Sequence, residues 1–284
     1  MDFLAGLLGD DWLFVDNAGD VIYELAGEGN DRVFASLSYT LAAGVSVETL
    51  TTSSNNGTAA INLTGNALAN AVYGNAGANT IDGGGGVDFL AGLAGDDWLF
   101  VDNAADVVFE LAGEGSDRVF ASTSYTLAAG VSVETLTTSS NNGTNAINLT
   151  GNELANAVYG NAGANILDGK AGSDFLAGLG GADTFAFTTT LGAGNIDTVF
   201  DFVGGTDKIA LDDAVFTALG GPGALNPNAF VTGAGAADAS DRIIYNNATG
   251  QLFYDADGIG GTGPILFATL TGNPAIAASD FQVI

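Results

Sequence analysis

A period of nine residues limits this chain to short, repeated structural elements. Reading from Gly65, the sequence divides into glycine-rich nonapeptides with Asp or Asn at the sixth position and an apolar residue at the eighth. Glycine allows the positive φ of a tight turn, and a strand of about three residues can face one apolar side chain inward. Helices are not expected, because the apolar spacing does not fit 3.6 residues and each of the 43 glycines would disfavour a helix by up to roughly 1 kcal/mol. The inward residues predicted from this frame are Val72, Ile81, Leu90, Leu99, Val108 and Val119.

The nonapeptides belong to a longer repeat of 86 residues. The string Asp-Phe-Leu-Ala-Gly-Leu begins at Asp2, Asp88 and Asp174, which indicates two tandem units followed by a different C-terminal third. If one coil takes roughly 18 to 20 residues, twice the nonapeptide, each unit holds about four to five coils. The predicted regions are repeat unit one at residues 1–87, repeat unit two at residues 88–173, and the last turns with a C-terminal cap and secretion-signal region at residues 174–284.

The composition restricts the chemistry that such a coil can perform. The chain has 33 acidic residues against 5 basic ones, a formal net charge of -28, and neither His nor Cys. Disulfides, thiolate nucleophiles, imidazole bases and Cys- or His-ligated zinc sites are therefore excluded. Nucleic acid and anionic membrane surfaces are not expected partners, because both are bound by clustered Lys and Arg. No segment approaches the roughly 18 apolar residues of a membrane span, so we expect no membrane insertion.

The sixth-position acids are predicted to form ladders along the edges of a stacked coil. Successive nonapeptides lie on opposite sides of such a coil, so Asp88 should face Asp106 and Asn79 should face Asp97. Carboxylates about 5 Å apart repel by about 3 kcal/mol at an effective dielectric of roughly 20, so a cation is expected between them. Oxygen ligands in flexible loops, without nitrogen or sulfur, favour Ca²⁺ over Zn²⁺, Cu²⁺ and Mg²⁺. The candidate ligands for several Ca²⁺ ions are Asp11, Asp20, Asp31, Asp88, Asp97, Asp106, Asp117, Asp174 and Asp183, to which Asp197 is added.

The nonapeptide frame and the C-terminal third together resemble a known family. The C-terminal third contains Gly180-Gly181-Ala182-Asp183, Asp201-Phe202-Val203-Gly204-Gly205 and Leu252-Phe253-Tyr254-Asp255. With its G-G-x-G-x-D-x-U-x nonapeptides, the sequence resembles the RTX, or haemolysin-type, calcium-binding repeat family, and its last third is similar to the end of serralysin-type secreted proteins. The resemblance implies a right-handed parallel β-roll, with Ca²⁺ held between alternate loops by aspartates and glycine-loop carbonyls. It adds weaker metal candidates, which are Asn79, Asn165, Gly83, Gly85, Gly92 and Gly169.

The segments outside the nonapeptides are also predicted to be β-structure. Residues 35–64 and 121–150 alternate apolar and small polar residues, which indicates longer strands of the same parallel coil with a polar turn at its edge. The period fails from about Asp183. Strands near residues 251–254 and 265–270 then suggest a β-sandwich-like cap that covers the open end of the coil.

Several features have alternative explanations that the sequence leaves open. Asp31 and Asp117, each followed by Arg, are either metal ligands or members of surface ion pairs. Trp12 and Trp98, each with a phenylalanine two residues later, either cover the outer sheet or form a sugar-stacking face. The paired acids at residues 10–11 resemble a glycosidase pair, but they recur within the repeat frame, which favours metal binding over catalysis.

The function expected from the sequence is that of a non-enzymatic, secreted calcium-binding module forming the C-terminal part of a larger bacterial protein. The N-terminus lacks a secretory signal, and the ending Asp280-Phe281-Gln282-Val283-Ile284 has the acidic-then-apolar character that the resemblance assigns to type I export. The expected partners are calcium ions, the type I secretion apparatus, and cell-surface polysaccharide or upstream domains of the same protein. The alternatives are a carbohydrate-binding or cell-surface adhesion module and, less favoured, a polysaccharide-modifying β-helix enzyme.

Overall fold

The computed structural model describes residues 1–284 and consists almost entirely of short β-strands. The chain divides into two compact units, Met1–Ser139 and Ser140–Ile284. Its only helices are two 3-10 turns, Pro227–Ala229 and Ala278–Asp280, and none of them has the length and apolar character needed to cross a bilayer. The all-β class predicted from the nine-residue period is therefore confirmed. The 86-residue sequence units remain a prediction about domain organisation.

The first unit contains fifteen strands that alternate between two sides of a coil. The even strands from β2 to β12 form one parallel sheet, and the odd strands from β5 to β15 pair in parallel in a second. Strands β1 and β3 form a separate parallel pair. This arrangement is the predicted parallel β-roll. The strands are β1 Phe3–Ala5, β2 Trp12–Val15, β3 Val21–Tyr23, β4 Arg32–Ala35, β5 Tyr39–Thr40, β6 Thr49–Thr52, β7 Leu63–Thr64, β8 Ala71–Tyr73, β9 Thr80–Asp82, β10 Phe89–Ala91, β11 Trp98–Val101, β12 Val107–Val108, β13 Arg118–Ala121, β14 Tyr125–Thr126 and β15 Thr135–Thr138.

The register of the strands confirms that one coil corresponds to two nonapeptides. Phe89 pairs with Ala71 on one side and with Val107 on the other. Nine strands precede β10, which repeats the sequence of β1. An 86-residue unit thus spans four and a half coils, within the predicted range, and equivalent residues of the two copies lie in opposite sheets: Trp12 in the first and Trp98 in the second.

The eighth residue of each nonapeptide forms the core between the two sheets. All six residues predicted to face inward are buried, with exposed fractions of 0% to 3%. Burying a side chain of this size stabilises the fold by about 1.5–3 kcal/mol, so the apolar row supplies the main driving force for stacking. The polar sixth residues are buried beside this row rather than exposed to solvent.

The prediction of longer strands in residues 35–64 and 121–150 is wrong. After Ala35, which ends β4, the first segment contains only β5, β6 and β7, of two, four and two residues. The chain has to reverse direction at both edges of the coil, and the Gly57 N–H donates to the Ser54 carbonyl at 3.0 Å in one of these turns. Apolar residues between the strands are nevertheless buried, among them Leu41, Val45 and Val47. They extend the core without extending the strands.

The second unit also contains two sheets. Strands β16, β18, β20, β22, β28 and β23 belong to one, and β17, β19, β21, β27, β26, β25 and β24 belong to the other. The bounds are β16 Leu149–Thr150, β17 Ala157–Asn161, β18 Ile166–Asp168, β19 Phe175–Leu179, β20 Thr184–Phe187, β21 Asp197–Val199, β22 Lys208–Leu211, β23 Gly223–Ala224, β24 Phe230–Thr232, β25 Ile243–Asn246, β26 Gln251–Tyr254, β27 Ile265–Leu270 and β28 Phe281–Val283.

The C-terminal region is β-rich, as predicted, but it does not form a separate sandwich. Parallel pairing continues beyond Asp183, through β20 with β22 and β22 with β28, although the nonapeptide pattern has ended. The antiparallel strands β25, β26 and β27 then extend a sheet of the coil itself. From β20 to β22 and β28, longer loops replace the glycine turns while the pairing stays parallel, which explains why the sequence period ends before the coil does.

Candidate metal centre

The sixth-position side chains lie inside the edge turns and stack from coil to coil. The Asp88 N–H donates to Asp106 Oδ1 at 3.0 Å, and the Asp97 N–H donates to Asp117 Oδ1 at 2.9 Å. The Asn79 N–H donates in the same way to Asp97 Oδ1 at 2.6 Å. The predicted neighbours therefore meet across successive coils. One oxygen of each carboxylate is used to hold the adjacent coil.

The second oxygen of most of these carboxylates has no partner. A buried carboxylate oxygen without a hydrogen bond is strongly unfavourable unless a cation pairs with it. In this chain such oxygens occur at the sixth position in both compact units, so they recur with the coil. They belong to Asp11, Asp31, Asp88, Asp97, Asp117 and Asp174, all of which the sequence predicted as ligands.

Where a turn begins with glycine, the missing side chain lets the backbone approach the unpaired oxygen. A methyl group at Gly83 would overlap Asp88 Oδ2, and one at Gly92 would overlap Asp97 Oδ2. Gly169 has the same relation to Asp174 in the second unit. Gly85, by contrast, has ordinary space for a methyl group. The first glycine of the turn is thus required for backbone and carboxylate oxygens to converge, which fits a cation held by both.

Burial makes these carboxylates hard to ionise without a cation. Desolvation raises the pKa of Asp97 to about 6 and of Asp117 to about 7, against the opposing effect of the backbone N–H donors. In the second unit it raises the pKa of Asp174 to about 8, and the pKa values of Asp183 and Asp197 to about 7. Asp88, with a pKa of about 6, shows the same effect. A divalent cation in the turns would reverse these shifts.

Two predicted ligands differ from the aspartates with an unpaired oxygen, because N–H groups of their own turns donate to the second oxygen. Asp106 Oδ2 accepts the N–H groups of Asp102 and Asn103 at 3.1 and 3.0 Å. Asp20 Oδ2 is held in the same way by its own turn, and the Asp2 N–H is the largest influence that lowers the Asp20 pKa. Asp20 and Asp106 remain predicted ligands, and their folded conformations depend less on a metal than that of Asp88 does.

Asparagine at the sixth position satisfies its own amide group by hydrogen bonds within the coil. Asn79 Nδ2 donates to the Ile61 carbonyl at 2.9 Å, and its Oδ1 accepts the Asn75 N–H at 2.8 Å. Asn165 donates to the Ile147 carbonyl at 2.7 Å, and its Oδ1 also accepts a backbone N–H. These amides close their turns by direct hydrogen bonds, so a metal requirement at Asn79 and Asn165 is weaker than at the aspartates.

Sequence reasoning missed two kinds of acidic residue. Glu24 and Glu110 are buried with an unpaired oxygen, although both lie in the two-residue insertion that interrupts the frame. Glu110 follows Gly92 by 18 residues, one coil, and this spacing is the signal that was available in the sequence. Asp207 Oδ1 accepts the Asp183 N–H at 3.0 Å across a step of 24 residues, which no period could have indicated.

The aromatic and arginine side chains of the repeats lie on the outer surface. Trp12 is 67% exposed and Trp98 is 50% exposed. Each packs beside a phenylalanine of the adjacent strand in its sheet. The ring centroids are 5.3 Å apart for Trp12 and Phe34 and 5.2 Å apart for Trp98 and Phe120. The arginines lie over the same rings, 5.9 and 5.7 Å from their centroids. Asp31 and Asp117 face inward, away from these arginines, which favours the ligand explanation over surface ion pairs.

Comparison with protein families agrees with this geometry. Residues 64–108 and 150–185 match the family model of the RTX calcium-binding nonapeptide repeat, in four copies. The matched segments contain Asp88, Asp97, Asp106, Asp174 and Asp183. No curated protein matches the chain. These two segments therefore carry RTX calcium-binding repeats, and their strands belong to parallel sheets.

Proposed function

We propose that this chain is a non-enzymatic, extracellular module whose RTX coil folds when it binds several calcium ions. The observation that carries the proposal is the set of buried carboxylates, each with one oxygen bonded to the neighbouring coil and one without a partner. Such groups make the metal-free fold unstable and the metal-bound fold stable. The same turns contain no nitrogen or sulfur ligand, which supports a hard cation.

The geometry of the turns supports calcium over magnesium. Ca²⁺ accepts six to eight oxygens in flexible arrangements, whereas Mg²⁺ requires a nearly ideal octahedron. The turns offer flexible glycine backbone and aspartates from two coils, not a rigid octahedral cage. Extracellular modules bind Ca²⁺ with dissociation constants of about 10⁻⁴–10⁻³ M, which matches the calcium available outside cells.

Equilibrium dialysis at neutral pH tests the binding directly. We expect several Ca²⁺ ions per chain at millimolar free calcium, with little displacement by an equal concentration of Mg²⁺, since Mg²⁺ gives up its water ligands reluctantly. A chain that binds no Ca²⁺ in this range, or that binds Mg²⁺ equally well, would refute the proposal.

Export by a type I secretion apparatus forms the second part of the proposed function. Residues Phe281–Val283 form the last strand, paired with β22, and Phe281 and Val283 are buried. A transporter would therefore read this segment in the unfolded chain, which low cytosolic calcium would maintain. Calcium outside the cell would then favour folding and outward movement.

A fusion experiment tests the export signal without disturbing the coil. Residues 235–284 joined to a slowly folding reporter should be released from cells that carry a type I exporter, while the same reporter joined to residues 1–87 should stay inside. Retention of the first fusion would contradict the assignment of the signal to this segment.

A further inference from the structure

The two-residue insertion in the repeat places a glutamate inside the turn. Glu110 and Leu111 lengthen the step between paired residues to 20, as in the hydrogen bond from Asp97 to Asp117. Glu110 lies one coil after Gly92, whose N–H donates to Glu110 Oε1 at 2.6 Å. The carboxylate is buried, with 1% of the residue exposed. Glu110 thus occupies the position in its coil that Gly92 occupies in the preceding coil.

Three carboxylates converge at this insertion. One oxygen from each of Asp97, Glu110 and Asp117 lies within 4.8 Å of the other two. Each of these residues is at most 1% exposed, and each has an oxygen without a hydrogen-bond partner. Two oxygens bound to one Ca²⁺ at 2.3–2.6 Å are at most about 5.2 Å apart, so the cluster has the dimensions of a calcium site.

No cation of the protein balances these charges. Arg118, the nearest basic residue in sequence, lies outward over the Phe120 ring. The surrounding acids, among them Glu114 and Glu134, oppose ionisation of the cluster further. Three buried carboxylates that are ionised in this field require an external cation.

We propose that Asp97, Glu110 and Asp117 hold Ca²⁺ in a three-carboxylate site, and that this site fills before the turns that contain aspartates alone. The inference rests on the proposed calcium binding of the chain. Glu110 and Asp117 lie outside the residues that match the repeat family, so the match does not assign this site. More ligand charge gives tighter calcium binding, which sets the order of filling.

The first copy of the repeat contains the three corresponding acids in a more open arrangement. Asp11, Glu24 and Asp31 each have an oxygen without a partner, and the Gly6 N–H donates to Glu24 Oε1. Glu24 and Asp31 are buried, whereas Asp11 is partly exposed. The site in the first copy should therefore bind Ca²⁺ more weakly than the site at Glu110.

The two tryptophans of the chain allow these sites to be observed separately from the others. Trp12 directly follows Asp11 and Trp98 directly follows Asp97, and the chain has no other tryptophan. Tb³⁺, a Ca²⁺ substitute of higher charge, luminesces when a nearby tryptophan transfers excitation energy to it. We expect the first two equivalents of Tb³⁺ to give most of the tryptophan-sensitised signal, and later equivalents to add little.

Glu110→Gln and Glu24→Gln test the glutamates with almost no change of volume. Glu110→Gln should weaken Tb³⁺ binding at the Asp97, Glu110 and Asp117 site by about tenfold or more, since ligand charge sets affinity. The tighter phase of the titration should therefore disappear. The double variant should lose most of the early signal and about two bound Ca²⁺ ions in equilibrium dialysis. Glu114→Gln removes the same charge from a neighbouring residue outside the cluster, whose carboxylate accepts the Leu111 N–H, and it should lower the Tb³⁺ affinity far less than Glu110→Gln does.

The outcomes distinguish failure of the three-carboxylate site from failure of the proposed function. If the double variant keeps the early signal while the chain still binds Ca²⁺, the three-carboxylate site is wrong and the proposed function stands. If the unaltered chain binds no Ca²⁺, the proposed function itself fails. Circular dichroism at saturating Ca²⁺ verifies the fold of each variant. A variant that does not fold is replaced by Glu110→Asp, which keeps the charge, retracts the oxygen by one methylene and should also weaken the first Tb³⁺ phase.

Discussion

Removing calcium is expected to convert the folded chain into a largely disordered one. The metal-free coil holds buried carboxylates whose second oxygens have no partner, such as those of Asp88 and Asp174. A ligand at a hundred times its dissociation constant stabilises a fold by about 2.7 kcal/mol per site, and several sites together approach the ~5–15 kcal/mol stability of a domain. Far-UV circular dichroism should show a β spectrum in millimolar Ca²⁺ and a disordered spectrum in excess chelator.

Magnesium provides the control for this experiment. Mg²⁺ at the same concentration should restore little of the β spectrum, because the turns do not offer rigid octahedral coordination. Return of calcium to the chelated sample should restore the spectrum, which excludes irreversible damage as the cause of the loss. Identical β spectra with and without calcium would show that the coil does not depend on the metal.

Acid is expected to replace calcium in folding the metal-free chain. In the fold without metal, desolvation raises the pKa of Asp97 to about 6, Asp117 to about 7, Asp174 to about 8 and Glu110 to about 9. In an unfolded chain the same groups titrate near 3.8 for Asp and 4.5 for Glu. Between these values the fold binds more protons than the unfolded chain. Its stability is therefore fully present at low pH and is lost as the pH rises through about 6 to 9.

The measurement is circular dichroism of metal-stripped protein along a pH series. We expect β-structure near pH 5 and disorder near pH 8.5, and we expect Ca²⁺ to change the spectrum strongly only at the higher pH. Calcium binding at an intermediate pH should also release protons into a weak buffer, because the metal and the proton compete for the same oxygens. A metal-free chain that is less folded near pH 5 than near pH 8.5 would contradict this account.

The nonapeptide frame was sufficient to predict which residues stack on one another in successive coils. Alternation between two sides, the inward eighth residue and the meeting of Asp88 with Asp106 all follow from a fixed step of two nonapeptides. The predictions of strand length and of the end of the coil failed where the number of residues per coil varies. Residues 35–64 form short strands instead of long ones, and the coil continues past Asp183 with longer loops, because parallel pairing needs aligned backbone but no constant loop length.

The sequence by itself determined the coil, its core and its acidic edges, because a repeated spacing places the same residue type at the same place in every turn. Only the tertiary structure decided which acids lack a partner. Asp88 and Asp106 have the same position in the frame, yet the turn of Asp106 directs two N–H groups at its second oxygen and the turn of Asp88 does not. The sequence contains the 18-residue spacing of Glu110 from Gly92, but only the folded turn shows that its carboxylate converges with those of Asp97 and Asp117. The directions of N–H groups and the path of one loop are set by packing in three dimensions, and a linear period does not contain them.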